Sequence, residues 1–520
     1  MPRAPLAISL VLAAASCGAA VVPTATAPAP AGVGAPALLW SRGGCEAWGC
    51  DVGWYASPAV ADLDGDPATK EVVWGAHDLV ALRADGSVLW RAEGGARVWA
   101  SPAVADLTGD GRPELVVARD GGVTVHGPGG AVLWTAAFGP GELRTLAIAD
   151  LEGDGAPEVL AGRAAQEADG QVMAWRGANG APVPGFPARH AGAPGYGWGM
   201  FHENLAAADL DGDGALELVA PTDVHYVTVL DHRGEQVGVN PRFGAGKVWS
   251  EVGVHLTDAV DLRGYAVCGV DPRPNFSDSS PVVADLDGDG TPEVVLVGNV
   301  YDCGTDPYRD LYEVPFVFRA DRTRFAAGGF DWSSAPAPAP GAAPRSEDYR
   351  VIEDAMPAPA VADLDGDGRK EVVYASYDGR VHAYSLDRTE HGSWPFRLPG
   401  AGTRFASEPA VVDLDGDGKA EVIVGTWGEK ARREPGQLLV LDHLGRLVFA
   451  VDLPPAADGG WNGALGAPTV ANVDADPDLE IAVGTAAAGV ALYRVPGTAH
   501  ARVLWGTGRG GFARSGTLAR

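Results

Sequence analysis

The chain has few basic residues, few sulfur-containing residues and no long apolar segment. Its 520 residues include only 5 cysteines and 4 methionines, and 39 lysines and arginines are outnumbered by 68 aspartates and glutamates. The formal net charge of -29 argues against a nucleic-acid partner, because phosphate is bound by clustered basic residues. No apolar run after the first residues reaches the ~18 residues of a membrane helix. Helical periodicity is also missing, whereas 72 glycines and 40 prolines indicate a chain full of turns.

Catalytic motifs are missing as well. The sequence has no G-x-S-x-G, no H-E-x-x-H and no glycine-rich phosphate loop. His202 and Glu203 are adjacent, but one such pair does not define an active site. The sequence therefore leaves an enzymatic function undecided and favours a non-enzymatic one.

The first residues resemble an export signal. Arg3 precedes an apolar run over residues 6–15, which is followed by small residues and Cys17. Residues 1–17 read as a signal peptide, and Cys17 fits the lipidated cysteine of a bacterial lipoprotein; secretion with cleavage nearby is the alternative. Residues 18–37 are rich in Ala, Pro and Thr and predict an extended spacer. We expect an exported monomer, secreted or anchored at the outer surface.

The cysteines support export. If Cys17 belongs to the signal, four cysteines remain, as a close pair, Cys45 and Cys50, and a distant pair, Cys268 and Cys303. An even number in an exported chain predicts two disulfides, with free thiols as the alternative. The C-x-x-C spacing of a zinc site is absent.

One acidic repeat dominates the sequence. Its copies, numbered one to eight, begin at Asp62, Asp106, Asp150, Asp209, Asp285, Asp363, Asp413 and Asn472. The first two steps are 44 residues each, which is the length of a propeller blade. Residues 101–134 show a buried strand, an acidic turn and three further strands, the last ending in Trp134. We therefore predict an all-β propeller over residues 38–510 with four antiparallel strands per blade and eight blades, seven being the alternative.

The remaining segments fall around this ring. Insertions are expected near residues 232–279 and 303–356, and residues 511–520 form a C-terminal tail. Trp90, Trp134 and Trp505 end fourth strands and should pack between blades. A propeller must close its ring, so we expect residues 36–41 to lie beside residues 489–495, with residues 502–505 competing for that place.

The turn of each copy is an acidic loop, D-x-D-x-D-G-x-x-E. Alternate carboxylates on a tight loop converge on one point, and oxygen ligands in this number suit Ca²⁺. An EF-hand is excluded because strands flank the loop and position twelve of copy four is Ala220. Solvated acidic turns without metal are the alternative, but close carboxylates repel each other unless a cation lies between them. We expect several structural Ca²⁺ ions.

The predicted ligands differ in completeness among the copies. Copies four to seven are complete: Asp209, Asp211, Asp213, Glu217; Asp285, Asp287, Asp289, Glu293; Asp363, Asp365, Asp367, Glu371; Asp413, Asp415, Asp417, Glu421. Copy three has Asp150, Glu152, Asp154 and Glu158 and should still bind. Weaker sites are expected in copies one, two and eight, with Asp62, Asp64, Asp66; Asp106, Asp110, Glu114; and Asn472, Asp474, Asp476, Glu480. In copy one, Lys70 stands at position nine and Glu71 follows it.

The motif and its spacing resemble the FG-GAP or VCBS-type repeats of bacterial surface proteins, and a similar loop occurs in the integrin α-subunit propeller. Residues 505–516 (WGTGRGGFARSG) are similar to the segment that often ends such bacterial propellers. The resemblance implies a surface binding or adhesion module for a glycan or protein ligand. The alternative is a polysaccharide lyase, since some rhamnogalacturonan lyases look like eight-bladed calcium propellers.

The ligand site is expected at the end of the ring opposite the acidic loops. The segments that precede the first strands lie there, around the central channel. They carry aromatic and polar side chains suited to a sugar or a peptide: Trp54, Trp99, Trp198, His202 and Trp461. The alternative is that these rings fill the channel or pack between blades.

Overall fold

A computed structural model describes residues 26–43, 55–165, 170–188, 199–264, 266–277, 279–305, 309–342, 358–400, 405–429, 432–457 and 459–517. It is an all-β ring of eight antiparallel blades around a central channel, which confirms the predicted propeller and excludes seven blades. Each blade contains one copy of the repeat, with the acidic loop between its first and second strands.

Four blades consist of four complete strands, and the first strand of each lies at the channel. Blade one has Ala59–Ala61, Glu71–Gly75, Leu79–Leu82 and Val88–Ala92. Blade two has Ala103–Ala105, Glu114–Arg119, Gly122–His126 and Val132–Ala137. Blade six has Ala360–Ala362, Glu371–Ser376, Arg380–Tyr384 and Phe396–Arg397. Blade seven has Ala410–Asp413, Glu421–Gly425, Gln437–Leu441 and Leu447–Asp452.

The blades near the insertions are less regular. Blade three has Glu142–Ala149, Glu158–Ala164 and Val172–Arg176, and blade four has Ala206–Ala208, Glu217–Pro221 and Val227–Leu230; isolated bridges continue both. Blade five has Val282–Ala284, Glu293–Asp302, Arg309–Phe318 and Arg273–Asn275, with a hairpin of Ala326–Ala327 and Phe330–Asp331. Three short 3-10 helices lie in the first insertion: Pro241–Phe243, Trp249–Glu251 and Asp258–Arg263. No helix in the described residues is long and apolar enough to cross a membrane.

Apolar strands packed face to face form the core between neighbouring blades. Four of the second strands, Glu421–Gly425 among them, are buried along their whole length because both faces meet another blade. Tryptophans on the outer strands join blades: the Trp90 ring packs on Gly130, and its Nε1 donates to the carbonyl of Pro128 at 2.8 Å. Trp134 makes the same contact with Gly180 and Gly177 of blade three, which confirms the predicted packing of both rings between blades.

Blade eight closes the ring by combining the two ends of the chain. It consists of Thr469–Ala471, Leu479–Gly484 and Val490–Val495, and its outer strand is Ala37–Arg42. Ala37 pairs with Arg494 and Arg42 with Val490, which confirms the predicted closure. The competing segment, Arg502–Trp505, pairs instead with the innermost strand of blade seven.

From that strand the chain continues along the channel to residue 517. Five carbonyls of this channel segment (residues 502–517) accept hydrogen bonds from first strands: Gly506 from Val470, Phe512 from Val104, Ala513 from Ile148, Ser515 from Ala207 and Gly516 from Val283. Trp505 is fully buried there and does not end the outer strand of a blade, in contrast to our expectation for it. Residues 511–517, which the sequence placed after the propeller, are part of its interior.

The predicted Cys268–Cys303 disulfide is present and joins the first insertion to the second strand's end in blade five. Cys17, Cys45 and Cys50 lie outside the described residues.

Candidate functional site

The acidic loops are shaped by hydrogen bonds to their own backbone. In copy five, Asp285 accepts from the amides of Gly288 at 2.8 Å and Gly290 at 2.9 Å. Asp289 accepts from the amide of Thr291 at 2.7 Å. Gly288 and Gly290 have φ values of 78° and 91°, a conformation that favours glycine. The first and third aspartates are thereby turned toward the centre of the loop.

The glutamate at position nine, here called the closing glutamate, ties the loop to its strand. In all eight copies its Oε2 accepts the amide of the residue after the first loop position, at 2.7–3.0 Å. In copy one Glu71 fills this place and Lys70 does not, so the inserted residue is absorbed within the loop. Among the described residues, buried Glu71 Oε1 has no hydrogen-bond partner, as expected of an oxygen directed at a cation.

Carboxylate oxygens converge in several copies. Groups of three with oxygens within 4.8 Å of one another include Asp62, Asp64, Glu71; Asp209, Asp211, Glu217; Asp285, Asp287, Asp289; Asp363, Asp365, Asp367; and Asp413, Asp415, Asp417. Burial, together with the neighbouring aspartates, raises the pKa of Glu217, Glu293 and Glu371 to about 7 and that of Glu421 to about 8. These closing glutamates are costly to ionise without a positive partner, so the residues fit a divalent cation.

The other copies have different surroundings. In copy two Asp106 accepts from the amides of Gly109, Asp110 and Gly111, and Thr108 supplies no carboxylate. In copies three and eight an arginine contacts the loop carboxylates.

The opposite end of the ring carries an aromatic cluster, here called the mouth cluster. Its members come from the consecutive blades six, seven, eight, one and two: Tyr377, Phe405, Trp427, Trp461, Tyr55 and Trp99. Four of the rings are buried, whereas Trp99 and Trp461 are half-buried. Trp461 meets Trp427 edge-on at 4.5 Å between centroids, and its Nε1 donates to the Trp427 carbonyl at 2.9 Å.

Trp99 contacts one aromatic ring and two cations. The Tyr55 ring stacks on it at 5.8 Å, and the guanidinium carbons of Arg97 and Arg144 lie 4.9 and 4.5 Å from its centroid. The predicted rim residue His202 is buried and touches Tyr55 edge-on at 5.5 Å, so segments of blades four and one meet over the channel. The structure thus brings Trp99 and Trp461 into the mouth cluster and places His202 beside it. Trp54 and Trp198 lie outside the described residues.

Buried charges lie beneath the mouth cluster. Glu203 accepts the amide of Ser101 at 2.7 Å, and Glu408 accepts the amide of Arg509 at 2.6 Å. Burial, with the nearby Glu203, raises the pKa of Glu408 to about 8. Arg514 is fully buried and donates to the carbonyls of Pro58, Ser57, Gly508 and Pro102 and to Thr507 Oγ1 at 2.9–3.2 Å.

The two channel arginines were not predicted as site residues. The guanidinium of Arg509 is buried without a hydrogen-bond partner in the described structure, with Glu203 and Glu408 as its nearby negative charges. The segment GRGG at residues 508–511 is the sequence signal that could have identified Arg509. Arginine between glycines in an acidic chain indicates a cation inserted where space is tight.

At the loop end of the channel, a cavity of about 940 Å³ opens between blades three, four and five. Its walls include Asp209, Asp285, Lys370 and Thr517. The end of the channel segment therefore forms part of this wall.

Comparisons with known proteins agree with this architecture. A family model described as an FG-GAP-like repeat matches residues 150–220 and 363–424. No curated protein matches the chain.

Solved structures that are similar to the chain are distant in sequence. The exotype rhamnogalacturonan lyase YesX is 17% identical with a TM-score of 0.51, covering 93% of this chain and 80% of that one. The rhamnogalacturonan lyase YesW is 16% identical with a TM-score of 0.50, covering 92% and 79%. The V. cholerae biofilm matrix protein Bap1 is 15% identical with a TM-score of 0.39, covering 88% and 91%. The chain is therefore an eight-bladed β-propeller that contains FG-GAP-like repeats.

Proposed function

We propose that the chain is an exported, calcium-stabilised binding module that captures a glycan at the mouth cluster without modifying it. The observation that carries the proposal is the pair of half-buried indoles, Trp99 and Trp461, at the end of the channel away from the acidic loops. Sugar rings stack on indole faces, and Arg97 and Arg144 beside Trp99 supply donors for hydroxyl or carboxylate groups.

In this proposal calcium stabilises the fold and does not contact the ligand. The loop carboxylates of copies one and four to seven would hold it, and bound Ca²⁺ would neutralise their charge and fix the loop. Export is supported by the Cys268–Cys303 disulfide, which is typical of oxidising compartments. The predicted lipid anchor at Cys17 is tested by substitution. Cys17→Ser should release the protein from the membrane fraction. Wild-type protein that is already free and unlipidated would exclude lipidation.

A glycan array probed with the mature protein in calcium tests the binding function. We expect the protein to retain a defined set of glycans. Trp99→Ala or Trp461→Ala should weaken this retention. Trp134→Ala provides the control, because this indole packs between blades two and three. Equal loss in all three variants, or no retained glycan, would contradict a site at the mouth cluster.

A polysaccharide lyase is the second candidate. It is supported by the fold shared with the two rhamnogalacturonan lyases and by buried Glu408 near Glu203 and Arg509, since a carboxyl with a raised pKa, such as that of Glu408, is typical of catalytic sites. Incubation with rhamnogalacturonan and Ca²⁺ decides between the candidates. Release of unsaturated sugars that Glu408→Gln abolishes would favour the lyase, whereas binding without cleavage favours the module.

A further inference from the structure

One position in each blade faces the acidic loop from the third strand. It lies directly opposite the closing glutamate. In copy three Glu158 pairs with Arg176, and in copy eight Glu480 pairs with Arg494. A side chain at this position can reach the point on which the loop carboxylates converge.

In copy three the Arg176 guanidinium binds two carboxylates at once. Nη1 lies 2.7 Å from Oε1 of the closing Glu158 and also contacts Glu152. Nη2 donates to Glu152 Oε1 at 2.8 Å. The loop is therefore joined to its strand by a cation that belongs to the chain.

Copy eight repeats this arrangement with three carboxylates. Arg494 Nη2 contacts Asp474 and lies 2.8 Å from Asp476 Oδ2. Its Nε lies 3.6 Å from Oε1 of the closing Glu480. All the acidic residues predicted as ligands in this copy face one guanidinium.

Copy five shows that an arginine at this position need not enter the loop. Arg319 follows Phe318, the partner of Val294, and so occupies the corresponding position. It turns away, since its Nη2 donates to the Ala326 carbonyl and its guanidinium lies 5.8 Å from the Phe325 centroid. In copy one the orientation of the arginine side chain is intermediate, because Arg83 approaches one carboxylate, Asp64, at 3.8 Å.

We infer that in copies three and eight an arginine side chain takes the place that calcium takes in the other copies, so that these two loops close without metal. The inference rests on the calcium part of the proposed function. A planar guanidinium offers five donors in a fixed plane and can bridge several carboxylates. The inference departs from our expectation that copy three binds calcium, and it would leave at most six of the eight copies for the metal.

Counting bound ions by native mass spectrometry tests the inference. Wild-type protein is compared with Arg176→Ala, Arg494→Ala and the matched control Arg319→Ala, each titrated with CaCl₂ after chelation. Arg176→Ala should bind one Ca²⁺ more than wild type, because Asp150, Glu152, Asp154 and Glu158 remain as ligands. Arg494→Ala should show the same gain at higher calcium, and Arg319→Ala should show none.

Thermal unfolding with and without Ca²⁺ is the second measurement, and it tests the inference even when a variant is unstable in chelator. Arg176→Ala should gain more from calcium than wild type does, and recovery of its fold in calcium supports the inference. An unchanged ion count, or no recovery at millimolar calcium, overturns the inference alone. A wild-type chain that binds no calcium overturns both the inference and the calcium part of the proposed function.

Discussion

The two ends of the propeller differ in how much they repeat. At the loop end every blade has the same hydrogen bond, donated by a loop backbone amide to the closing glutamate. At the other end no single group recurs in every blade: Tyr55, Trp99, His202, Phe405 and Trp461 come from five different blades. The repeated end therefore holds the blades together, and the varied end is where a specific ligand can be recognised. The comparison predicts that changes at the loop end affect stability and changes at the mouth cluster affect binding.

The largest effect is expected between the two ends, in the channel segment. Arg514→Ala should lower the free energy of unfolding by about 3–5 kcal/mol, because it leaves several buried carbonyls without a donor. Arg502→Ala is the control: this residue is exposed on the same segment and should change stability by less than about 0.5 kcal/mol. Urea unfolding measures both. Similar effects of the two substitutions would mean that the channel segment does not hold the blades.

Beneath the mouth cluster, the comparison can be tested with pH. The pKa of buried Glu408 is raised from about 4.5 to about 8, so the folded state holds its proton while the unfolded state has lost it. The stabilisation from this group is complete below about pH 4.5 and is lost as pH rises toward 8, by up to about 1.4 kcal/mol per pH unit. Unfolding at saturating calcium should therefore depend less on pH in Glu408→Gln than in wild type. Parallel pH profiles would contradict a neutral Glu408.

At the loop end, chelation should lower the melting temperature, and Ca²⁺ should restore it better than Mg²⁺ does. A Kd of about 10⁻⁴ to 10⁻³ M gives roughly 0.4–1.4 kcal/mol per site at ~1 mM calcium. Asp365→Ala should cost about that much in calcium and have little further effect in chelator. Asp387→Ala, in an exposed turn of the same blade, is the control. A melting curve that is unchanged by chelation would contradict a structural role for calcium.

The smallest change in stability, with the sharpest change in binding, is expected at the mouth cluster. Trp99→Ala should weaken capture of an array-positive glycan about tenfold, because a stacked indole contributes about 1.4 kcal/mol. Its melting temperature should stay close to that of wild type. If Trp99→Ala and Trp461→Ala instead unfold the protein while binding persists in the folded fraction, the rings are packing residues. Stability and binding would then not be divided between the two ends.

The sequence predicts the repeated features well and the unique ones poorly. Eight similar copies fix the blade count, the acidic loops and the closure by residues 36–41, because each depends on a local pattern or on a match between distant patterns. The channel segment has no such pattern. Arg514 bonds to Pro102 across 412 residues, and only the closed ring brings them together. Arg176 and Arg494 could be found only from hairpin register, which places each opposite a closing glutamate.

The channel segment has a consequence for biosynthesis. First strands of blades two, three, four, five and eight present amides that pair only with residues 506–516, and blade seven pairs with residues 502–505. A ribosome makes these residues after all eight blades, so a nascent chain exposes a ring of open strand edges until residues 502–517 have been made. Open edges pair readily with other chains. Products that stop just before residue 502 should therefore aggregate, even though they contain every strand listed for the eight blades.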